Sequence, residues 1–304
     1  MSERLPLTID GFQAGLISTQ HASDGEILIS YQMGGSGPPL LLLHGFPQTK
    51  MIWHRVAPAL AKHFTVIASD LRGYGASSKP QGFADHSTYS KRAMASDQAQ
   101  LMNALGFSHY GVLGHDRGGR VAHRLALDYG KQVNKLMVLD ISPTLAMYEQ
   151  TTMQFASSYW HWFFLIQKAP IPETMIGANT EFFMKQFMGG RHAGLSIFAP
   201  ECWQEYVLAM SDPACLHAMC EDYRAAASID LEHDRQTIAQ KQLLEMPVRV
   251  LWGEFGQVHA CFKPLEDWQK LGTDVSGQTL QSGHYIPEEI PEGLIAEALS
   301  FFRD

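Results

Sequence analysis

Short apolar runs alternate with helix-like segments through most of this 304-residue chain. Runs such as Leu40 to His44 and Tyr110 to Gly114 are long enough only for buried strands. Helix-like segments such as Met51 to His63 and Arg117 to Tyr129 follow them. Because strands that alternate with helices pair in parallel, the pattern predicts an α/β fold with a mainly parallel sheet flanked by helices.

The alternation stops at about Thr144 and returns with a predicted strand from Val248 to Trp252. The intervening segment is rich in aromatic residues and methionine, and it shows no clear strand pattern. We therefore expect a core domain made of residues 1–143 and 237–304, and a helical cap domain made of residues 144–236. Such an insert would cover the carboxyl ends of the strands, where open α/β sheets bind ligands.

Composition narrows the classes of function and of partner. The 14 histidines include no HExxH motif and no paired Cys/His spacing, so we expect no metal site. A formal net charge of −8 disfavours nucleic acid and acidic membrane surfaces as partners. The chain shows neither a signal-peptide pattern nor an apolar run of membrane-spanning length, so we expect a cytoplasmic protein. Whether it is a monomer or a homodimer is left open.

The segment Gly114-His115-Asp116-Arg117-Gly118 connects a predicted strand to a predicted helix. It follows the small-x-nucleophile-x-small pattern of a nucleophile elbow, a sharp turn that lifts the central side chain to a helix N-terminus. The central residue is Asp116, so the predicted nucleophile is a carboxylate and not a serine. The alternative for Asp116 is an ordinary helix N-cap, and the pattern favours the elbow.

Two further segments complete the pattern of a catalytic site. In enzymes with a nucleophile elbow, one N–H of the oxyanion hole comes from the residue after the nucleophile and the other from a loop that follows a buried strand. The loop around Phe46 follows such a strand, so we assign the two N–H groups to Arg117 and Phe46. His284 follows the last predicted strand, where the catalytic histidine belongs. We expect Asp140, at the end of the strand after the elbow, to be its carboxylate partner, with Glu254 as the alternative.

With these residues in place, the chain resembles the α/β-hydrolase superfamily over nearly its whole length. Within it, the chain is similar to the haloacetate dehalogenases, the fluoroacetate dehalogenase group. The similarity is carried by Gly-His-Asp-Arg-Gly-Gly-Arg at 114–120, Asp140, the pair His161-Trp162, the stretch Met219 to Arg224, and His284. It implies the α/β-hydrolase fold with an inserted helical cap, and chemistry that needs no cofactor.

The resemblance also implies roles for individual residues. Asp116 would be the nucleophile, with His284 oriented by Asp140. Arg117 and Arg120 would bind the carboxylate of a small anionic haloacid. The leaving halide would be held by three residues of the cap: His161, Trp162 and Tyr223.

Elementary chemistry agrees with these assignments. Arg117 and Arg120 are three residues apart in the first turn of a predicted helix, so they share a face and could clamp a carboxylate. Arg117 stands where related haloalkane dehalogenases and epoxide hydrolases usually carry Trp, which favours an anionic substrate. The three cap residues carry N–H or O–H donors, which a departing halide requires. The alternatives are solvent-facing arginines and plain aromatic packing.

We expect a haloacetate dehalogenase that converts 2-halo acids into 2-hydroxy acids and halide through a covalent aspartyl ester. An epoxide hydrolase of the same fold is the enzymatic alternative, with Tyr223 and either Tyr148 or Tyr159 protonating the epoxide oxygen. A non-catalytic receptor for a small carboxylate is the alternative from another class. The preferred halogen, the tolerated α-substituents and the substrate entrance are left open.

Overall fold

The computed structural model describes residues 7–21 and 23–303. Within these ranges one sheet of eight strands forms the centre, in the order β1-β2-β4-β3-β5-β6-β7-β8. The strands are β1 (Gln13–His21), β2 (Gly25–Gly35), β3 (Pro39–Leu43), β4 (Thr65–Ser69), β5 (Tyr110–His115), β6 (Val133–Leu139), β7 (Val248–Gly253) and β8 (Val275–Leu280).

Most of the sheet is parallel. β2 pairs antiparallel with both β1 and β4, and every other neighbouring pair is parallel. The leucines of β3, Leu40 to Leu43, are at most 1% exposed, as expected for a strand that is covered on both faces. The prediction of a mainly parallel sheet flanked by helices is confirmed.

Helices pack around this sheet. The helix Lys91–Ala104 packs against the helix Arg117–Asp128, and the helix Ala57–Leu60 packs against the helix Pro291–Arg303. None of the described helices is long and apolar enough to cross a lipid bilayer. The helices of the first part are α1 (Ala57–Leu60), α2 (Lys91–Ala104) and α3 (Arg117–Asp128), and those of the last part are α12 (Gln257–Cys261), α13 (Pro264–Gln269), α14 (Ile286–Glu289) and α15 (Pro291–Arg303).

The segment between β6 and β7 is helical. It corresponds to the predicted cap, whose boundaries with the core stay a prediction. Side chains of this segment reach the carboxyl ends of the strands, where Asp222 bonds to Arg117 just beyond β5. Its helices are α4 (Thr144–Glu149), α5 (Met153–Ser158), α6 (Trp160–Leu165), α7 (Ile171–Gly177), α8 (Thr180–Gly189), α9 (Pro200–Ser211), α10 (Pro213–Ala226) and α11 (Ile229–Ala239).

Two elements differ from the sequence prediction. The single helix predicted from Met51 to His63 is wrong, because the chain forms a 3₁₀ turn at Lys50–Trp53 and a separate short α1. Pro58 lies in the first turn of α1, where its missing N–H costs nothing, and so it starts a new helix there. β1 was not predicted, since it is a largely exposed edge strand with polar residues along its length.

Glu288 in α14 connects this helix to the helical segment and to the core. Its Oε1 accepts a hydrogen bond of 2.9 Å from the Tyr206 hydroxyl of α9, and Gln48 Nε2 lies 3.5 Å from the same oxygen. The Arg55 guanidinium donates to the Glu288 carbonyl at 2.8 Å. Burial raises the pKa of Glu288 from its ordinary value of 4.5 to about 8, although Tyr206 and Arg55 act in the opposite direction. The folded protein therefore holds this carboxyl group protonated at neutral pH.

This protonation predicts how stability depends on pH. Because the folded state binds the proton more tightly, the stabilisation from Glu288 is complete below pH 4.5 and is lost as pH rises towards about 8. The glutamine of Glu288→Gln cannot ionise. As pH rises through this range, we expect the free energy of unfolding of the variant minus that of the wild type to increase by up to about 1.4 kcal/mol per pH unit. Urea denaturation across the range measures the difference.

The exposed Glu181 provides the matched control, because Glu181→Gln removes a carboxylate that is 58% exposed. Its stability curve should run parallel to that of the wild type. A parallel curve for Glu288→Gln as well would mean that Glu288 is already ionised in the folded protein at neutral pH.

Candidate active site

Asp116 occupies the turn between β5 and α3. Its φ of 50° and ψ of −116° are rare for a residue with a side chain and mark a strained turn. The turn requires glycine two residues before and two residues after Asp116: a Cβ on Gly114 would lie 2.6 Å from the Gly118 carbonyl oxygen, and one on Gly118 would lie 2.3 Å from the His44 carbonyl oxygen. The Asp116 side chain makes no capping hydrogen bond to α3, so it is not an ordinary N-cap. The strain holds the carboxylate away from the helix and towards the neighbouring loop.

The loop after β3 meets the Asp116 carboxylate. The backbone N–H of Phe46 donates to Asp116 Oδ1 at 3.0 Å. Gly45 allows this approach, since a Cβ there would lie 2.5 Å from the Asp116 Cβ. Among the described residues, no comparable hydrogen bond joins the backbone N–H of Arg117 to this carboxylate. Of the two N–H groups assigned to the oxyanion hole, the structure brings that of Phe46 into hydrogen-bond contact with the Asp116 carboxylate.

His284 lies between two carboxylates. Its Nδ1 is 2.6 Å from Asp140 Oδ2, and its Nε2 is 3.9 Å from Asp116 Oδ2. Asp140 also accepts from the Gly253 N–H at 3.0 Å and has a φ of 50°, so both aspartates lie in strained turns. The Asp140 carboxylate accepts from Nδ1–H, which fixes the orientation of the imidazole and turns Nε2 towards Asp116. Glu254 is exposed and accepts a hydrogen bond from Gln281, away from His284.

The Asp116 carboxylate is buried at 4% exposure. Burial alone would raise the pKa of Asp116, but the charges of His284, Arg117 and Arg120 outweigh it and hold the pKa below the ordinary value of 3.8. Asp116 is therefore an anion at neutral pH. It is an anion that little water reaches, which preserves its reactivity towards carbon.

Arg117 is held by a buried acid of the helical segment. Its Nε donates to Asp222 Oδ2 at 3.1 Å and its Nη2 to the Asp222 carbonyl at 2.7 Å. Asp222 also contacts Lys91 and accepts from the Tyr74 hydroxyl at 2.7 Å. Within the part of the chain that the structure describes, Arg117 Nη1 has no hydrogen-bond partner. The sequence predicted that Arg117 binds substrate, and the structure leaves one of its nitrogens for that.

Arg120 differs from Arg117, because it has no acidic partner. Its Nη1 donates to the Ser142 carbonyl at 3.1 Å and to Thr144 Oγ1 at 2.9 Å, and both acceptors are uncharged. Residues 7–21 and 23–303 place no carboxylate within 4.0 Å of this guanidinium and no acceptor on its Nε. Burial and the nearby charge of Arg117 lower the pKa of Arg120, although Asp116 acts in the opposite direction.

His161, Trp162 and Tyr223 lie together beside Phe46. The Phe46 ring is 5.2 Å from that of Tyr223 and 6.3 Å from that of His161. Arg120 lies 4.8 Å over the Trp162 ring, and Arg117 lies 4.2 Å over the Tyr223 ring. His161 Nδ1 and Trp162 Nε1 are buried without a hydrogen-bond partner among the described residues. The structure thus gathers the three predicted cap residues on the Arg117 and Arg120 side of Asp116.

The comparisons with known proteins agree on the fold. A family model described as alpha/beta hydrolase fold matches residues 38–285. The chain is 43% identical to a fluoroacetate dehalogenase of Burkholderia sp over 97% of this chain and 95% of that protein. It is 34% identical to a soluble epoxide hydrolase of Corynebacterium sp. (strain C12), over 90% and 92% of the two. The crystal structure of a candidate alpha/beta hydrolase from Nostoc sp PCC 7120 matches with a TM-score of 0.92 and 47% identity, over 97% of this chain and 99% of that one. The chain belongs to the α/β-hydrolase family.

The predicted α/β-hydrolase fold and the resemblance to haloacetate dehalogenases are confirmed by these findings. They also show why activity needs a separate argument, since two relatives of different activity each cover nine tenths or more of the chain. In an α/β-hydrolase, the identity of the nucleophile and the donors around it decide the reaction.

Sequence reasoning missed the residues that hold Arg117. Asp222, Lys91 and Tyr74 come from three separate parts of the chain and meet only in the folded protein. The one local signal was the position of Asp222, directly before the cap residue Tyr223. A buried carboxylate beside a predicted ligand-binding residue is a reason to look for a buried cation.

The tight packing of the elbow predicts that alanine substitution will destabilise the protein at Gly118 but not at Gly293, although both glycines lie in helices. Gly118→Ala would push a Cβ into the carbonyls of the loop before Phe46, whereas the nearest atom to a Cβ on Gly293 in α15 is 3.5 Å away. Overpacking typically costs about 1–3 kcal/mol, so Gly118→Ala should lower the free energy of unfolding by at least that much. Gly293→Ala should leave it unchanged or raise it by about 0.5–1 kcal/mol. Equal urea midpoints for the two variants would contradict this description of the elbow.

Proposed function

We propose that this α/β-hydrolase is a haloacetate dehalogenase, which hydrolyses the carbon–halogen bond of small 2-halo acids to give a 2-hydroxy acid and halide. The observation that carries the proposal is the buried pair Arg117 and Arg120 beside an anionic Asp116. Arg117 Nη1 and Arg120 Nε are buried donors that no described protein acceptor meets. Two such donors suit the carboxylate of a substrate, because guanidinium–carboxylate hydrogen bonds are charge-assisted.

The first step is a displacement at carbon. Asp116 Oδ1 is held by the Phe46 N–H, so Oδ2 attacks the halogen-bearing carbon. A carbon–oxygen bond forms as the carbon–halogen bond breaks, and the halide leaves with the electron pair. The donors of His161, Trp162 and Tyr223 stabilise the departing anion. The product of this step is an ester on Asp116.

The second step is hydrolysis of that ester. His284 Nε2 takes a proton from water, and the water oxygen bonds to the Asp116 carboxyl carbon. The Phe46 N–H stabilises the oxyanion that forms on Oδ1. The intermediate collapses, the proton passes from His284 to the departing oxygen, and the 2-hydroxy acid leaves. Asp140 keeps the imidazole in the tautomer that this step needs.

An epoxide hydrolase is the second candidate, and the relative of Corynebacterium sp. (strain C12) favours it. The hydroxyls of Tyr148 and Tyr159 are buried and have no partner among the described residues, so either could join Tyr223 in protonating an epoxide oxygen. A neutral epoxide gives Arg120 no counter-ion. The charge of the site therefore favours the haloacid.

The covalent intermediate gives the first test. His284→Ala removes the base of the second step and leaves the nucleophile intact. On exposure to chloroacetate, this variant should accumulate a carboxymethyl ester on the peptide that contains Asp116 and release about one halide per site. Mass spectrometry of the digest and a halide assay measure the two quantities.

The control for trapping is Asp116→Asn, which should form no ester and release no halide. A single turnover of the wild type in heavy-oxygen water should label the Asp116 carboxylate and leave the first 2-hydroxy acid unlabelled. Label in that first product would mean direct attack by water, with Asp116 reduced to a general base.

Substrate charge gives the second test. We expect the wild type to dechlorinate chloroacetate and to leave chloroacetamide unchanged, because the amide cannot form charge-assisted bonds with both arginines. Loss of a charge-assisted hydrogen bond costs about 1.5–3 kcal/mol, so Arg120→Met should lower kcat/KM for chloroacetate by roughly tenfold or more.

Arg92→Met is the control, because the Arg92 side chain is 45% exposed and pairs with Asp128 on the surface. It should keep the wild-type kcat/KM. Equal activity of the wild type on chloroacetate and chloroacetamide would exclude the arginine clamp, and epoxide opening without halide release would favour the second candidate.

A further inference from the structure

A cavity of about 470 Å³ opens beside His284, between the helical segment and the core. The loop that follows α8 forms one wall and contains Arg191 and His192. This loop lies directly against the turn that carries His284, since a Cβ on Gly283 would be 2.9 Å from the His192 Cβ. The cavity therefore joins this partly exposed loop to His284, which lines the cavity and belongs to the site around Asp116.

Arg191 is the cation of this cavity. Its side chain is partly exposed and lines the cavity. The guanidinium lies 4.9 Å over the Tyr159 ring and 5.0 Å over the Phe187 ring. No carboxylate of the described chain comes within 4.0 Å of it. Two aromatic faces fix its position without neutralising its charge.

Electrostatic coupling ties Arg191 to the residues around Asp116. Burial lowers the pKa of His161 well below its ordinary value, and the charge of Arg191 is the next cause. Burial acts to lower the pKa of Arg191, but Tyr159 and Tyr285, and to a smaller extent Asp116, raise it above its ordinary value. The positive charge of Arg191 thus acts on His161, which lies inside the site.

A protein with a formal net charge of −8 repels an anion that approaches from solution. Local cations in a cleft can reverse this repulsion over the last few ångströms, because a cleft focuses the field of the charges that line it. Arg117 and Arg120 are almost fully buried, at 0% and 3% exposure, so neither meets the substrate first. Arg191 is the cation that lines the cavity.

We propose that Arg191 captures the substrate carboxylate at the mouth of the site and that the anion passes from there to Arg120 and Arg117. This inference rests on the proposed haloacid substrate. It makes Arg191 a determinant of selectivity for small monocarboxylate anions, acting on their association and not on the chemical steps. Charges at the rim of a binding site act mainly on association rates and on their salt dependence.

The test compares variants that separate charge from packing. Arg191→Met keeps the aliphatic packing against Phe187 and removes the charge, and Arg191→Lys keeps the charge. Lys185→Met is the matched control, because Lys185 lies on α8 but is 49% exposed and pairs with Glu181. Each variant is assayed for kcat and kcat/KM on chloroacetate over a series of ionic strengths.

At low ionic strength we expect Arg191→Met to lower kcat/KM by roughly tenfold while kcat changes by less than about twofold. The loss should shrink as salt is added. Above 0.1 M the Debye length is about 10 Å or less, and charges that are farther apart than this length are largely screened from each other. Arg191→Lys should recover most of the rate, and Lys185→Met should match the wild type. A salt-independent loss of kcat that Arg191→Lys does not restore would overturn the proposal in favour of a structural role.

A second measurement is independent of turnover. Acetate has no halogen, and its association with each protein can be followed by stopped-flow tryptophan fluorescence. Arg191→Met should slow acetate association by a similar factor. Equal association rates for Arg191→Met and Lys185→Met would overturn the capture role. A wild type that binds acetate rapidly through Arg191 but releases no halide would overturn the proposed dehalogenase and leave anion capture standing.

Discussion

The ionised Asp116 carboxylate, buried in a strained turn, is the constraint on which the rest of this site depends. A buried carboxylate stays charged only if cations and N–H groups compensate for the water that it has lost. The Phe46 N–H compensates by a hydrogen bond, and His284 and the two arginines of α3 compensate by their charge. The loop glycines follow from the same constraint, because any side chain there would occupy the space that the carboxylate or its turn needs.

The two arginines beside Asp116 have different roles in the charge balance. Arg117 is neutralised by Asp222, which Lys91 and Tyr74 also hold, so this pair fixes the position of the helical segment over α3. Among residues 7–21 and 23–303, the hydrogen-bond acceptors of Arg120 are all uncharged, although burying a cation without a paired carboxylate is costly. In the proposed function, the carboxylate of the haloacid substrate offsets this cost. The bound carboxylate would complete the charge balance that the folded chain leaves unfinished.

The helical segment contributes donors, and the core contributes the reactive groups. Glu288 and Tyr206 connect the two close to His284, and Asp222 connects them close to Arg117. Both connections are buried and polar, so each requires its partners in one fixed arrangement. This arrangement sets the distances between the carboxylate that would attack and the N–H groups that would receive the halide. The cavity lined by Arg191 and His284 has walls from both the helical segment and the core.

The sequence by itself determined the alternation of strands and helices, the elbow around Asp116, and the order of Phe46, Asp140 and His284 along the chain. These are local patterns, because each depends on the neighbours of one residue in a strand, turn or helix. The choice of Asp140 over Glu254 beside His284, the Asp222 partner of Arg117 and the position of Arg191 at the mouth were decided only by the tertiary structure. Each of these depends on side chains from distant segments that share one buried volume, and the energy of a buried charge is set by what surrounds it in space and not by its neighbours in the chain.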